Sequence, residues 1–182
     1  MSSIFTDKDY KSDDGMITSI WGPPLWHVLH TISFNYPVKP TQEQKEHYYN
    51  FYSNIKNILP CKFCRDNLTS NLKSAPLTMA SFASRNTLSK WVYDLHEVVN
   101  KMLGKKSNLT YEEIRDRYET FRSRCIKEKA SKKKDKNEKE KGCVEPLYGI
   151  KSKCILNIVP KKSHKNTFKI DPKCKLYRGS IK

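Results

Sequence analysis

The sequence is short of several things, and each shortage closes off a class of protein. No run of apolar residues approaches the roughly 20 that cross a bilayer, which argues against a membrane-spanning helix. The N-terminus, Met-Ser-Ser-Ile-Phe-Thr-Asp-Lys-Asp-Tyr, has no basic stretch followed by an apolar one, so it does not read as a secretory signal. The six cysteines are therefore not expected to form the disulfide framework of a small secreted domain. Period-2 alternation is almost missing, which disfavours an extensive sheet.

What is present is uneven. The 182 residues carry a net charge of +16. Residues 126–182 hold 18 Lys/Arg against 6 Asp/Glu, a net +12, whereas residues 1–125 hold 17 against 13, a net +4. A folded domain of ordinary composition is expected first, with the basic character in a tail. Residues 1–19 read as a polar, loose leader, 20–125 as the domain and 126–182 as a Lys-rich, cysteine-containing extension.

Helical signals dominate the domain. Pro23 and Pro24 are expected to open a helix bearing Leu25, Trp26, Val28, Leu29 and Ile32, which ends near Tyr36-Pro37. Thr41 and Gln44 form a capping box before Tyr48, Phe51, Tyr52, Ile55, Ile58 and Leu59 at helical spacing. A third helix starts at the cysteine pair after Pro60. Residues 73–82 read as a connection. Ser84 precedes the clearest stripe, Leu88, Trp91, Val92, Leu95, Val98, Val99 and Met102, with Gly104 placed as a left-handed C-terminal residue. Thr110 and Glu113 cap a last helix with Tyr111, Ile114, Tyr118 and Phe121 on one side. The fold class is all-α, a small helical bundle. Lys129 to Lys141 reads as a linker or solvated helix extension. The segment 154–159 could form one short strand, in a tail expected to be mobile unless a disulfide or partner ties it down.

Leu59-Pro60-Cys61-Lys62-Phe63-Cys64-Arg65-Asp66 carries the chemistry. Two residues between cysteines allow a disulfide across the first turn of a helix, where unpaired N–H groups favour a thiolate. The pair is a redox site or half of a zinc site. Zinc would need a second pair of ligands, and no further CxxC, CxxH or HxxxH follows. No metal site is therefore assigned. A thioredoxin-like module needs strands around its CxxC, and helical patterns flank this one. Taken singly, Trp26 and Trp91 suit a core, and His30 or His96 suits a hydrogen-bonded histidine.

Trp26-x-x-x-His30-Thr31, Tyr36-Pro37, the cysteine pair, Leu88-Ser89-Lys90-Trp91 and His96-x-x-x-Asn100-x-x-Leu103-Gly104-Lys105 follow one another in this order. In order and approximate spacing they resemble the Erv/ALR family of FAD-linked sulfhydryl oxidases, across residues 20–125. Trp21-Gly22-Pro23-Pro24-x-Trp26 and the long tail look more like the family's viral members. The resemblance implies a four-helix bundle with a short fifth helix, usually dimeric, with FAD beside a redox-active Cys61–Cys64 pair. By position, Gly22, Trp26, His30 and Tyr36 would line the flavin, and His96, Asn100 and Lys105 would face its adenine and phosphates. Tyr118 would stack on the adenine where the family usually has Trp. The sequence departs from the family at Pro23, Glu97 and Tyr93. The last stands where many members have a structural cysteine, which leaves Cys125 without its usual partner.

The implied activity is the oxidation of protein dithiols, directly or through a thioredoxin-like relay protein, with O2 as terminal acceptor. The viral likeness implies action in a host cytoplasm or virion. Cys143, Cys154 and Cys174 are candidates for a shuttle disulfide on a flexible arm, or else unpaired or structural thiols. Accessory nucleic-acid contact by the basic tail is a rival use of that segment. A different class for the whole chain is a non-catalytic helical interaction module with a structural CxxC.

Overall fold

The computed structural model describes residues 6–126, 142–164 and 168–175. Among them are six helices, α1 (Asp7–Tyr10), α2 (Thr18–Phe34), α3 (Gln42–Ile58), α4 (Lys62–Ser74), α5 (Arg85–Met102) and α6 (Tyr111–Glu119). Two short strands, β1 (Ser123–Ile126) and β2 (Gly142–Pro146), form one antiparallel hairpin. The all-α expectation holds for the bulk of the chain.

The helix boundaries follow local chemistry. Thr41 and Thr110 cap α3 and α6 through reciprocal bonds with Gln44 and Glu113, satisfying donors that a helix start leaves unpaired. Ser84 accepts from the Thr87 N–H at the start of α5. At its end Gly104 has φ +66°, and the Gly104 and Lys105 N–H groups bond back to the Lys101 and Asn100 carbonyls. That is the Schellman closure expected of glycine there.

One boundary differs from expectation. Helix α2 begins at Thr18, so Pro23 and Pro24 lie inside it rather than at its start. Their missing N–H groups would have bonded the Ser19 and Ile20 carbonyls. Both of those residues are exposed, so water can take the place of the lost helical donors. The leader also does not run loose up to residue 19. Its last residues are pinned, as described below for the site.

Packing divides the chain into two units, Met1–Asn108 and Leu109–Lys182. The expected domain 20–125 and this division part company over α6. In the first unit α2 packs on α5, α3 on α4, and α4 on α5, with a 3-10 turn at Met79–Phe82 set against α3 and α5. Leu29, Tyr52, Ile55, Leu59, Phe82, Leu88, Trp91, Val92 and Leu95 form its core. Burying each large side chain contributes about 1.5–3 kcal/mol. The α5 stripe is buried as far as Leu95, half-buried at Val98 and Val99, and surfaces at Met102.

In the second unit Cys125 stands opposite Cys143 in the hairpin, and the two form a disulfide. Cys143, one of the shuttle candidates, is thereby paired within its own hairpin. Cys125, expected to lack the family's usual partner, has one that the tail supplies. A further tie follows. Ile150 N–H donates to the Lys173 carbonyl at 3.0 Å, and Gly149, at φ +67°, lies so close to Lys173 and Cys174 that a Cβ would collide. Residues 154–159 form no strand. The expected linker at 129–141 and the last seven residues lie outside the described residues.

Candidate active site

The site is built where α3 meets α4. Pro60 ends the α3 run, and Cys61 becomes the N-cap of α4 with extended backbone, φ −161° and ψ 120°. Its Sγ accepts the Cys64 N–H at 3.2 Å, so a sulfur does the work usually given to a Ser or Asp oxygen. Cys61 and Cys64 are joined as a disulfide with Cα atoms 5.2 Å apart. Both residues are half-buried, and Cys64 packs against the core cluster. The junction is held by the Leu59 carbonyl, which accepts from the Cys61 N–H at 2.8 Å and from Arg65 Nη1 at 2.6 Å.

The segment before α2 closes over this junction. Met16 N–H donates to the Pro60 carbonyl at 2.7 Å, and Gly15 forms an isolated antiparallel bridge with Cys61. Gly15 has φ +99°, and a Cβ there would stand 2.6 Å from the Pro60 oxygen, so both its conformation and its surroundings require glycine. Trp21 Nε1 holds the same segment by donating to the Met16 carbonyl at 3.0 Å. The Thr18 hydroxyl reaches Cys64 Sγ at 3.7 Å.

Further along α2, one turn apart, stand Gly22, Trp26 and His30. Trp26 stacks on His96 of α5 with ring centroids 3.9 Å apart and planes 4° from parallel. His30 Nε2 and His96 Nδ1 are 3.1 Å apart and share a hydrogen bond. One of these two nitrogens carries the proton and the other accepts it. Burial pushes the His30 imidazole down to about 3, helped by the nearby His96 and His27. Burial also holds His96 at about 4, with Lys105 lowering it and Glu97 opposing. Both rings are neutral at pH 7, giving an uncharged aromatic wall in which His30 is tilted 41° from Trp26 and 42° from His96. Gly22 is buried, yet a Cβ on it would meet no protein atom nearer than Thr18 Cγ2 at 3.6 Å. Packing within the chain does not require glycine there; a planar ligand laid against the α2 backbone would. The donor set and this glycine therefore fit a flat heteroaromatic group.

The remaining expected residues separate. Asn100 lies one turn beyond His96, its Nδ2 donating to Glu97 Oε1 at 3.0 Å. Lys105 follows the α5 terminus and is exposed. Tyr36 is 0% exposed; its hydroxyl donates to the Phe82 carbonyl at 2.9 Å, and its ring meets Tyr48 and Phe82 edge-on. Its carbonyl accepts from Arg85 Nε at 2.6 Å. These contacts anchor the end of α2 in the core. Trp91 is likewise structural, donating to the Ala75 carbonyl at 3.1 Å. Tyr118, in the second unit, is buried edge-on against Phe121, and burial raises its hydroxyl pKa. Cys154 and Cys174 are free, the first exposed and the second half-buried.

Sequence reasoning missed Gly15, Thr18 and Arg65. Asp13-Asp14-Gly15 carries a turn signal that could have found the first. Nothing local marks Thr18, whose sulfur partner lies 46 residues away.

Residues 23–119 match the model of the Erv1 / Alr family. Over 93 residues the chain is 43% identical to the "Probable FAD-linked sulfhydryl oxidase R368" of Acanthamoeba polyphaga mimivirus, covering 51% of this chain and 64% of that protein. It thus spans less than two thirds of that relative's length. It is 30% identical over 99 residues to the "FAD-linked sulfhydryl oxidase" of African swine fever virus (isolate Pig/Kenya/KEN-50/1950), covering 54% of this chain and 80% of that protein. The crystal structure of the FAD binding domain of Erv1 from Saccharomyces cerevisiae superposes with a TM-score of 0.51 at 26% identity, covering 57% of this chain and 94% of that one.

Proposed function

The chain belongs to the Erv1 / Alr family, and from that membership we propose that it is an FAD-linked sulfhydryl oxidase that forms disulfides in protein dithiols. The observation that carries the reading is a helix-start disulfide, Cys61–Cys64 at the head of α4, whose Cys64 meets Thr18 of the α2 that carries Trp26 and His30 against His96 of α5. In the overall reaction two thiols lose two electrons and two protons, joining as a disulfide, and O2 takes up both to become hydrogen peroxide.

The chain's own steps are thiol–disulfide exchange. A substrate thiolate attacks Cys61 Sγ, forming a mixed disulfide and breaking the Cys61–Cys64 bond, whose electron pair leaves with Cys64 as thiolate. The second substrate thiol then displaces Cys61, and the pair is left as a dithiol. Bound FAD supplies the two-electron acceptor that returns the pair to the disulfide and the route onward to O2. Gly22, Trp26, His30 and His96 would hold its ring system, with Asn100 and Lys105 toward the adenine and phosphates. Tyr36 would act by fixing the end of α2. The neutrality of His30 and His96 places no fixed charge on that wall.

The same reading extends to a homodimer, to protein dithiols or a thioredoxin-like relay as electron donors, and to action in a host cytoplasm or virion. The mimivirus and African swine fever virus relatives support the last of these. Among the described residues no helix is long and apolar enough to cross a membrane. With Cys143 engaged by Cys125, Cys154 and Cys174 are the remaining shuttle candidates. Nucleic-acid contact by the tail stays an accessory proposal, resting on its net +12 charge. An oxygen electrode with a reduced protein substrate tests the activity. Oxygen uptake that disappears in Cys61→Ser and in Cys64→Ser is expected. Uptake retained in both would mean that the CxxC is structural and carries no electrons, whereas a wild-type chain that takes up no oxygen would leave the non-catalytic interaction module.

A further inference from the structure

We propose that Thr18 is a catalytic residue of this chain, donating its hydroxyl hydrogen bond to the Cys64 sulfur and stabilising the thiolate released there. The inference deepens the oxidase reading and rests on it. Its ground is the unequal treatment of the two sulfurs. At the start of α4 the Cys64 N–H, which also meets the Cys61 carbonyl at 3.1 Å, donates to Cys61 Sγ at 3.2 Å. The hydrogen bond shown to Cys64 Sγ is the one from Thr18 Oγ1 at 3.7 Å. A disulfide sulfur carries no hydrogen, so in this contact the hydroxyl must donate.

The contact is held in place on both sides. Thr18 is the first residue of α2, and Gly15 and Met16 just before it are pinned to the junction by the Gly15–Cys61 bridge and the Met16 N–H to Pro60 carbonyl bond. Trp21 ties Met16 to the next turn of the same helix. The Thr18 methyl, in turn, lies 3.6 Å from where a Gly22 Cβ would stand, so the residue sits between the disulfide and the wall assigned to the cofactor. When the substrate thiolate bonds to Cys61 and the S–S bond breaks, Cys64 leaves with the electron pair. The same hydroxyl then meets a full negative charge. Hydrogen bonds to a charged acceptor are about twice as strong as neutral ones, so Thr18 favours the leaving thiolate over the disulfide.

The test reads the thiol itself. Full-length protein is reduced with excess dithiothreitol under nitrogen and freed of it. Labelling by iodoacetamide is then followed against pH, separately for Cys61 and Cys64. The charged and titratable side chains on the elements around Cys64 are Lys62, Arg65, Asp66 and Lys73 on α4, Lys11, Asp13 and Asp14 on the incoming segment, and His27 and His30 on α2, and none changes in the variants. In Thr18→Val the Cys64 midpoint is expected to rise by roughly half to one pH unit, with that of Cys61 unmoved because its donor is the Cys64 N–H. Thr18→Ser keeps the wild-type midpoint, and Thr18→Ala repeats the rise should Val disturb the helix start. A Cys64 midpoint that stays put in both Val and Ala, or a shift of both cysteines together, overturns the role. The readout needs no oxygen uptake. A wild-type protein that consumes no oxygen would sink the oxidase reading, whereas an unmoved Cys64 midpoint in an active protein sinks only this inference.

Discussion

Acid should loosen this fold in a way that can be traced to two imidazoles. His30 is 2% exposed and hydrogen-bonded to His96 at 3.1 Å, and burial lowers their pKa values to about 3 and about 4. In the unfolded chain each returns to its ordinary value near 6.5. Between pH 6.5 and about 4 the unfolded state therefore binds protons that the native state does not. Stability is fully present above 6.5 and falls as pH drops through that window. Each such proton costs about 1.4 kcal/mol per pH unit. From pH 6 to pH 5 the pair should remove about 1.4 kcal/mol if one ring accounts for the loss, and about 2.7 kcal/mol if both do. Against a total stability of about 5–15 kcal/mol that is measurable. Urea unfolding followed by tryptophan fluorescence at pH 7, 6, 5.5 and 5 gives the slope. In His30→Gln/His96→Gln, which keeps hydrogen-bonding groups but cannot titrate, the slope should flatten. Parallel losses in the wild type and the double variant between pH 6.5 and 5 would refute the reasoning.

Other substitutions probe the scaffold. Gly15→Ala, which forces a Cβ toward the Pro60 oxygen in a positive-φ position, should detach the segment over Cys61 and speed reduction of the Cys61–Cys64 disulfide by dithiothreitol; unchanged reduction kinetics would contradict its pinning role. Leu88→Ala, at a fully buried core position, should cost about 2–5 kcal/mol in urea unfolding. Tyr36→Phe removes the bond to the Phe82 carbonyl and should cost about 1–3 kcal/mol, with flavin content unchanged if its role is structural. Cys143→Ser should leave Cys125 as a titratable thiol and expose the hairpin to limited proteolysis; a thiol count equal to that of the wild type would contradict the Cys125–Cys143 pairing.

What the sequence disclosed and what it withheld divide along range. Caps, stripes and the Gly104 stop act within a few residues, so α3, α5 and α6 could be placed from Thr41, Ser84 and Thr110 onward. The redox pair was legible because its spacing alone defines a helix-start disulfide. Helix α2 was misjudged at its beginning because prolines usually mark a first turn, and here exposed carbonyls tolerate them one turn later. The hairpin escaped notice because its strands are four and five residues long, too short to show alternation, and a disulfide closes them. Gly15 over Cys61 and Thr18 beside Cys64 depend on partners more than 40 residues away, beyond any local pattern. Tyr36 matched a family position by spacing, but whether it touches ligand or core is set by Phe82, Tyr48 and Arg85, which only folding brings to it.

The most direct test of the central claim is the visible absorption spectrum of the purified full-length protein, recorded before and after a dithiol is added without oxygen and again on admitting air. A flavin spectrum that bleaches with dithiol in the wild type, returns with air, and fails to bleach in Cys64→Ser is the result expected if Cys61–Cys64 feeds electrons to bound FAD. A protein that stays colourless after incubation with FAD, or one whose flavin bleaches equally in the Cys64→Ser variant, would contradict the account.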